Sequence, residues 1–175
     1  MIWYTALVLG VAVERLAELV VARRNTRWSL ARGSTEAGGG HYPAMVVLHT
    51  ALLAGCLAEA YFADRPFLPA LGWTMAAVVV AAQALRWWCI TTLGPRWNTR
   101  VIVVPGLPLV TGGPYRWLRH PNYVAVAAEG IALPLVHGAW VTAVVFTLLN
   151  AVLMAVRIRC EDEALARLPM AEARA

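Results

Sequence analysis

Chemistry-bearing side chains concentrate in one stretch, Gly112-Gly113-Pro114-Tyr115-Arg116-Trp117-Leu118-Arg119-His120-Pro121-Asn122-Tyr123, set between two strongly apolar regions. Two arginines, a histidine and two tyrosines supply cationic, proton-transferring and hydroxyl groups within a few residues. Pro114 and Pro121 each fix φ and disfavour helix at the residue before, so the stretch reads as a shaped loop. Asn122 stands where a new helix would take its cap. Two arginines and a histidine at the mouth of an apolar helix suit an anionic group, a carboxylate or phosphate, approaching from the polar side. A positive membrane-flanking loop that only sets orientation fits the same residues.

A second cluster, Arg157-Ile158-Arg159-Cys160-Glu161-Asp162-Glu163-Ala164-Leu165, closes the last apolar segment. Arg157 with Glu161, and Arg159 with Glu163, stand at i,i+4 on a helix face. As plain interfacial salt bridges they contribute ~0.2–0.5 kcal/mol each. Between the clusters the chain is apolar to residue 136, breaks at His137-Gly138, and is apolar again over residues 139–156. Each half is short for a spanning helix, and Pro134 disturbs the first. A tightly turned helical hairpin is predicted, with tilt or bilayer thinning absorbing the mismatch. Arms of similar length return Glu161 to the depth of His120 and Tyr123. Basic loop and acidic helix end then meet and suit a zwitterion, with arginine or histidine on its carboxylate and glutamate on an amine or ribose hydroxyl. S-adenosylmethionine is such a molecule.

The elements that position these clusters are membrane helices. The chain is 60% hydrophobic and 14% charged, where soluble domains carry roughly 25% charged residues. Mean hydropathy is +0.61. One compact integral membrane domain fits this length. The net charge of +5 comes from arginine alone, with no lysine. The arginines cluster at membrane edges rather than along an aromatic-studded soluble surface, so no nucleic-acid partner is expected. Cys56, Cys89 and Cys160 are scattered and form no disulfide framework or metal-ligand set. No cleavable signal is read at the N-terminus.

Apolar segments are predicted over residues 2–22, 43–62 and 68–92, before the polar loop of residues 93–121 and the hairpin. The fold class expected is therefore all-α, with about five transmembrane segments and a cytoplasmic cofactor-binding loop. Residues 1–92 hold three membrane helices; residues 93–175 hold the loop, the hairpin and the tail. Glu14, Arg15 and Glu18 lie inside the first segment, where they either pair internally or line a substrate path. His49 reads as a packing histidine. Arg86-Trp87-Trp88 reads as an interfacial anchor with a snorkelling arginine. Val101 to Val104 form a brief extended piece ended by Pro105-Gly106. Twelve of the fifteen arginines fall in the loops after segments one and three and in the tail. The positive-inside rule then puts the N-terminus outside, and the residue 112–123 loop and C-terminus in the cytoplasm. The Arg/Ala/Val-biased composition suggests a bacterial genome and so a bacterial cytoplasmic membrane.

Gly113-Pro114-Tyr115, Arg119-His120-Pro121-Asn122-Tyr123, the hairpin and Arg157-x-x-x-Glu161-Asp162-x-x-Leu165 together resemble the isoprenylcysteine carboxyl methyltransferase family, most specifically over residues 94–165. Arg15-Leu16-x-Glu18-Leu19, Arg24-Asn25 and His41-Tyr42-Pro43-x-Met45…His49 are similar to a bacterial subgroup often paired with type III polyketide synthases. Members of that subgroup O-methylate alkylpyrones or alkylresorcinols. The resemblance implies that Tyr115, Arg119, His120, Pro121, Tyr123 and Glu161 contact S-adenosylmethionine, with Arg157 near the methyl-transfer centre. Asp162 departs from the family's usual glutamate. The tail from Leu168 lacks the family's common Phe-Gly-x-x-Tyr-like ending.

The chemistry so implied is in-line displacement at a sulfonium carbon, which needs alignment and an ionised acceptor oxygen. A carboxylate or acidic pyrone hydroxyl arrives ionised; a phenol, with a pKa near ~10, needs a base or a nearby cation. Arg157 is placed to orient the acceptor, and Glu161 or Glu129 to act as base; for Glu129 a buried, hydrogen-bonded carboxyl is the other reading. The acceptor expected is a lipophilic small molecule or lipidated group entering from the bilayer, with membrane lipid as surroundings and no obligatory protein partner. A phospholipid N-methyltransferase, an NADPH-dependent reductase of related fold and a non-catalytic lipid-binding scaffold are the rival readings.

Overall fold

The computed structural model describes residues 1–37 and 39–166, so the tail from Leu168, read above as atypical, lies outside the described residues. Among the described residues five α-helices carry the chain: α1 (Ile2–Leu30), α2 (Tyr42–Phe62), α3 (Pro69–Leu93), α4 (Pro121–Leu135) and α5 (Trp140–Ala166). Three of the apolar stretches, Gly39–Phe62, Pro69–Arg96 and Trp140–Ala166, are long and apolar enough to cross a membrane. Helix α4 packs against both α3 and α5, and α5 against α2. The core between them is built from Tyr4, Val8, Leu52, Cys56, Val79, Leu133 and Phe146.

The predicted hairpin is present. Its turn, residues 136–139, contains Gly138 at φ +67, a left-handed conformation that favours glycine. Gly130 lets the arms close, because a Cβ there would stand 2.0 Å from the Phe146 ring. Pro134 is accommodated in the last turn of α4. From α2, Glu59 crosses to the start of α5 and accepts hydrogen bonds from the amides of Val141 (3.1 Å) and Thr142 (2.8 Å) and from the Thr142 hydroxyl. It thus satisfies donors that a helix N-terminus leaves open.

Several expectations need correction. The arms are not of similar length: α4 has 15 residues and α5 has 27. Helix α4 starts on Pro121 with His120 at the cap, so Asn122 lies within the first turn instead of capping it; proline favours that first position. Helix α1 continues past residue 22 to Leu30. Its extension holds the polar loop, with Asn25 donating to the carbonyls of Gly94 (3.1 Å) and Trp97 (2.7 Å). The helical description also omits a small sheet. Val101–Val103 (β2) is extended as expected, and it pairs antiparallel with Thr35–Ala37 (β1) from the α1–α2 connection. The β-branched run needs a partner to satisfy its backbone, and that connection supplies it.

Arg86 is not a snorkelling anchor. It is buried (4% exposed) and joins Glu18 and Glu129. Glu129 Oε2 accepts from Arg15 Nη2 and Arg86 Nη2, both at 2.8 Å, and Glu18 Oε2 accepts from Arg15 Nη1 at 2.7 Å. Arg86 Nε stands 3.5 Å from Glu18 Oε1, closing a ring of alternating charge across α1, α3 and α4. Gln83 extends the ring, accepting from Arg15 (2.9 Å) and donating to Glu14, which also accepts from Trp87. Removing one member strands a buried charge, at a cost of about 3–5 kcal/mol. Arg86→Ala and Glu129→Ala are each expected to lower thermal stability in detergent by that order. Glu14→Gln, at the edge of the ring, should cost far less. Melting curves check the ranking.

Candidate active site

Two cavities meet at the polar end of the bundle. The larger, about 330 Å³, is walled by β2, the loop of residues 104–111, Tyr115, the start of α4 and the end of α5. The smaller, about 170 Å³, lies between α1, α2, α4 and α5, with Arg86 of α3 at its edge. Asn122, Tyr123 and Arg157 line both, as do Trp97 and Asn98. These side chains therefore form a wall common to the two cavities.

Tyr123 is the junction. Its hydroxyl accepts from Arg157 Nε at 2.8 Å and donates to Glu161 Oε2. The arms differ in length, yet these residues meet, and part of the offset is taken up because helix side chains lean toward their own N-terminus. On antiparallel arms Tyr123 leans away from the hairpin turn and Glu161 leans toward it. His120 stands beside Tyr123, its ring centroid 5.4 Å away. Its Nδ1 is 3.9 Å from Glu161, and its Nε2 is 3.4 Å from Asp162. Arg119 Nη2 also reaches Asp162, at 3.4 Å.

Arg157 is buried (8% exposed), and no carboxylate lies within ion-pair distance of it among the described residues. Its Nη1 donates instead to the Met45 thioether at 2.8 Å, a weak acceptor. A buried guanidinium partnered by a phenol and a thioether keeps most of its charge available to a ligand. Tyr115 lines the larger cavity, and burial, with the Cys89 thiol next to it, pushes its hydroxyl well above the usual tyrosine value. It therefore remains an O–H donor at neutral pH.

Of the residues singled out in the sequence, Tyr115, Arg119, His120, Tyr123, Arg157 and Glu161 converge on the larger cavity. Pro121 is buried at the first position of α4 and contributes to neither wall. Glu129 stands apart, its Oε2 held by two arginines. Asn122 lines both cavities with a buried Oδ1 that has no hydrogen-bond partner among the described residues. In the sequence it stands as a candidate cap and as part of the Arg119–Tyr123 motif, with no role toward a ligand. A polar residue directly after Pro121, in the loop where the basic groups gather, was the available signal.

Comparison with known proteins bears on this geometry. Residues 75–167 match the model of the isoprenylcysteine carboxyl methyltransferase (ICMT) family, which covers the hairpin and both motif clusters. The chain belongs to the ICMT family. It is 40% identical to the uncharacterized protein YpbQ of Bacillus subtilis (strain 168), over 94% of this chain and 96% of that one. An uncharacterized protein of Haemophilus influenzae is 24% identical, over 88% of this chain and 90% of that one. The solved structure of the eukaryotic intramembrane Ras methyltransferase ICMT is similar, with a TM-score of 0.56 and 25% identity. That likeness covers 73% of this chain, which spans about half (47%) of the eukaryotic chain. Its apolar helices and ICMT membership make the protein an integral membrane protein.

Tyr123→Phe removes both polar contacts of the junction while keeping the ring. It is expected to weaken ligand binding in the larger cavity about tenfold, the loss of about one net hydrogen bond to a charged group. Calorimetric titration with S-adenosylmethionine against wild type checks this.

Proposed function

We propose that the protein transfers a methyl group from S-adenosylmethionine, held in the larger cavity, to an oxygen of a lipophilic acceptor held in the smaller one. The observation that carries this reading is the shared wall, with a buried Arg157 that lacks a carboxylate partner among the described residues.

The larger cavity fits the cofactor by its donor set. Arg119 and His120 suit the carboxylate; His120 Nε2 is buried, and although the Asp162 carboxylate stands 3.4 Å away it makes no hydrogen bond among the described residues. Glu161 and Asp162 suit the amine and ribose hydroxyls, while Val101 to Val103 and Leu165 offer an apolar face to the base. When bound, the cofactor supplies an electrophilic methyl on a sulfonium. The residues of this chain bind, align and keep charge in place. Tyr123 holds Arg157 and Glu161 in register, so that the guanidinium faces the acceptor side and the carboxylate the cofactor side. Arg157 favours the ionised form of an acceptor oxygen beside it. Glu129, already held by two arginines, acts as a counter-ion; Glu161 remains the carboxylate near enough to take a proton, through the Tyr123 hydroxyl.

The smaller cavity holds about one ring: roughly 150 Å³ accepts benzene. Along α1 and α2 it is lined by Leu19, Val46 and Leu53 with Thr50 among them, and Val46 and Thr50 are exposed. An alkyl chain leaves there into the bilayer. This favours an alkylpyrone or alkylresorcinol hydroxyl, O-methylated, over a bulkier lipidated carboxylate. Counting α1 and α4 with the three apolar helices gives five segments. The arginine distribution then puts both cavities and the C-terminus on the cytoplasmic side of a bacterial membrane, the N-terminus outside.

Arg157→Ala is expected to reduce methyl transfer to an alkylresorcinol by at least about a hundredfold, in line with losing one charge-stabilising donor. S-adenosylmethionine affinity should change by less than about threefold. Radiolabelled methyl transfer, with binding measured in parallel, checks both; full activity in the variant removes the assigned role.

A further inference from the structure

The smaller cavity contains polar groups that the proposed transfer does not use. His49 Nδ1 lies 2.9 Å from the Met45 carbonyl. A carbonyl only accepts, so Nδ1 carries the proton and Nε2 holds the lone pair. Nε2 takes no hydrogen bond among the described residues, although His49 lines the cavity. Asn150 is buried (5% exposed) within an otherwise apolar stretch of α5 and lines the same cavity. Its Nδ2 donates to the Met154 thioether at 3.0 Å. A buried amide spending its donor on sulfur is as under-partnered as Arg157 donating to Met45.

The three groups form a short ladder. Asn150 precedes Arg157 by seven residues, two turns on the same face of α5, and the arginine side chain leans back toward it. Across the gap, His49 follows Met45 by one turn of α2. The His49 ring meets the Phe146 edge at 5.4 Å, one turn before Asn150. Arg157 and Met45 thus mark one level, and His49 and Asn150 a deeper one: about 6 Å further in along α2, and about 10.5 Å between Cα positions along α5, part of which the backward lean of Arg157 takes up. At the deeper level an acceptor lone pair and an amide donor face one small space. A hydroxyl satisfies both at once, donating to His49 Nε2 and accepting from Asn150 Nδ2.

We propose that His49 and Asn150 are specificity-determining residues that read a second hydroxyl on the acceptor, deeper in the cavity than the oxygen methylated beside Arg157. The inference rests on the reading of this cavity as the acceptor site. It selects a lipid carrying two separated oxygen functions on one ring. A lone carboxylate, with both oxygens on one carbon, fills the arginine and leaves the deeper pair unpartnered. Sites built to bond a hydroxyl discriminate strongly against the analogue lacking it, because the buried partners are then stranded.

The test compares an alkylresorcinol with the alkylphenol of equal chain length, which lacks only the second hydroxyl. Wild type is expected to favour the resorcinol by at least about tenfold in kcat/KM. His49→Phe and Asn150→Leu, both of similar volume, should reduce that ratio to near one, chiefly through KM. Their S-adenosylmethionine affinity should stay at the wild-type value, which also shows that each variant is folded. Should either fail to fold, His49→Gln and Asn150→Ala provide the same ratio. Two results overturn the inference but leave the methyltransferase reading standing: equal wild-type rates on the two lipids, or variants that keep the wild-type ratio. Wild type that methylates neither lipid overturns the acceptor reading and this inference with it.

Discussion

Three charges buried among apolar helices, with the half-buried Arg15 beside them, cannot each stand alone. Arg15, Glu18, Arg86 and Glu129 alternate in sign, and every member touches two of the opposite sign. An ion in such surroundings costs several kcal/mol unless its partners are well placed. The ring therefore admits one relative depth for α1, α3 and α4. Sliding α4 by a turn against α3 would move Glu129 away from both arginines. Because Tyr123 sits on α4 six residues before Glu129, the same constraint sets where the site begins. Arg15, Glu18 and Arg86 also line the smaller cavity, so the structural ring doubles as its polar wall.

The site works from the opposite condition. Among the described residues the ring leaves no charge uncompensated, whereas Arg157 is buried beside a phenol hydroxyl and a thioether. In low dielectric such a charge acts strongly on whatever comes near it. Tyr123 sits between that cation and the Glu161 carboxylate, separating them by one hydroxyl. Direct pairing of Arg157 with Glu161 at i,i+4, the simple expectation from spacing, would have neutralised both. The inserted hydroxyl keeps the pair in register and leaves each free to face its own cavity.

Much of this was legible in the sequence. The break at His137-Gly138 and the lengths of the apolar runs gave the hairpin, and the motif residues on either side of it do come together. The β-branched run at Val101 announced its strand, but its partner, sixty-odd residues earlier in a glycine-bearing loop, gave no local sign. Arg86 was misread because Trp87 and Trp88 beside it imitate an interfacial belt; its true partner Glu129 is remote in sequence, and only packing brings them together. His49 read as a packing histidine, and Asn150, a lone amide on an apolar helix, drew no reading at all. Their meaning depends on which face of α2 meets which face of α5, and periodicity within one helix does not reveal that. Asn122 was overlooked for a similar reason. Its position after a proline fits a cap, and only the fold shows that His120 takes that place.

On the proposed reading the larger cavity binds S-adenosylmethionine through the junction of α4 and α5. Calorimetric titration of the detergent-purified protein tests it most directly, with His120→Ala and Glu161→Ala beside wild type. Saturable binding by wild type, weakened at least about tenfold in each variant, or about 1.4 kcal/mol, is the result predicted. A well-folded wild type that shows no saturable binding, or variants that bind as tightly as wild type, would contradict it.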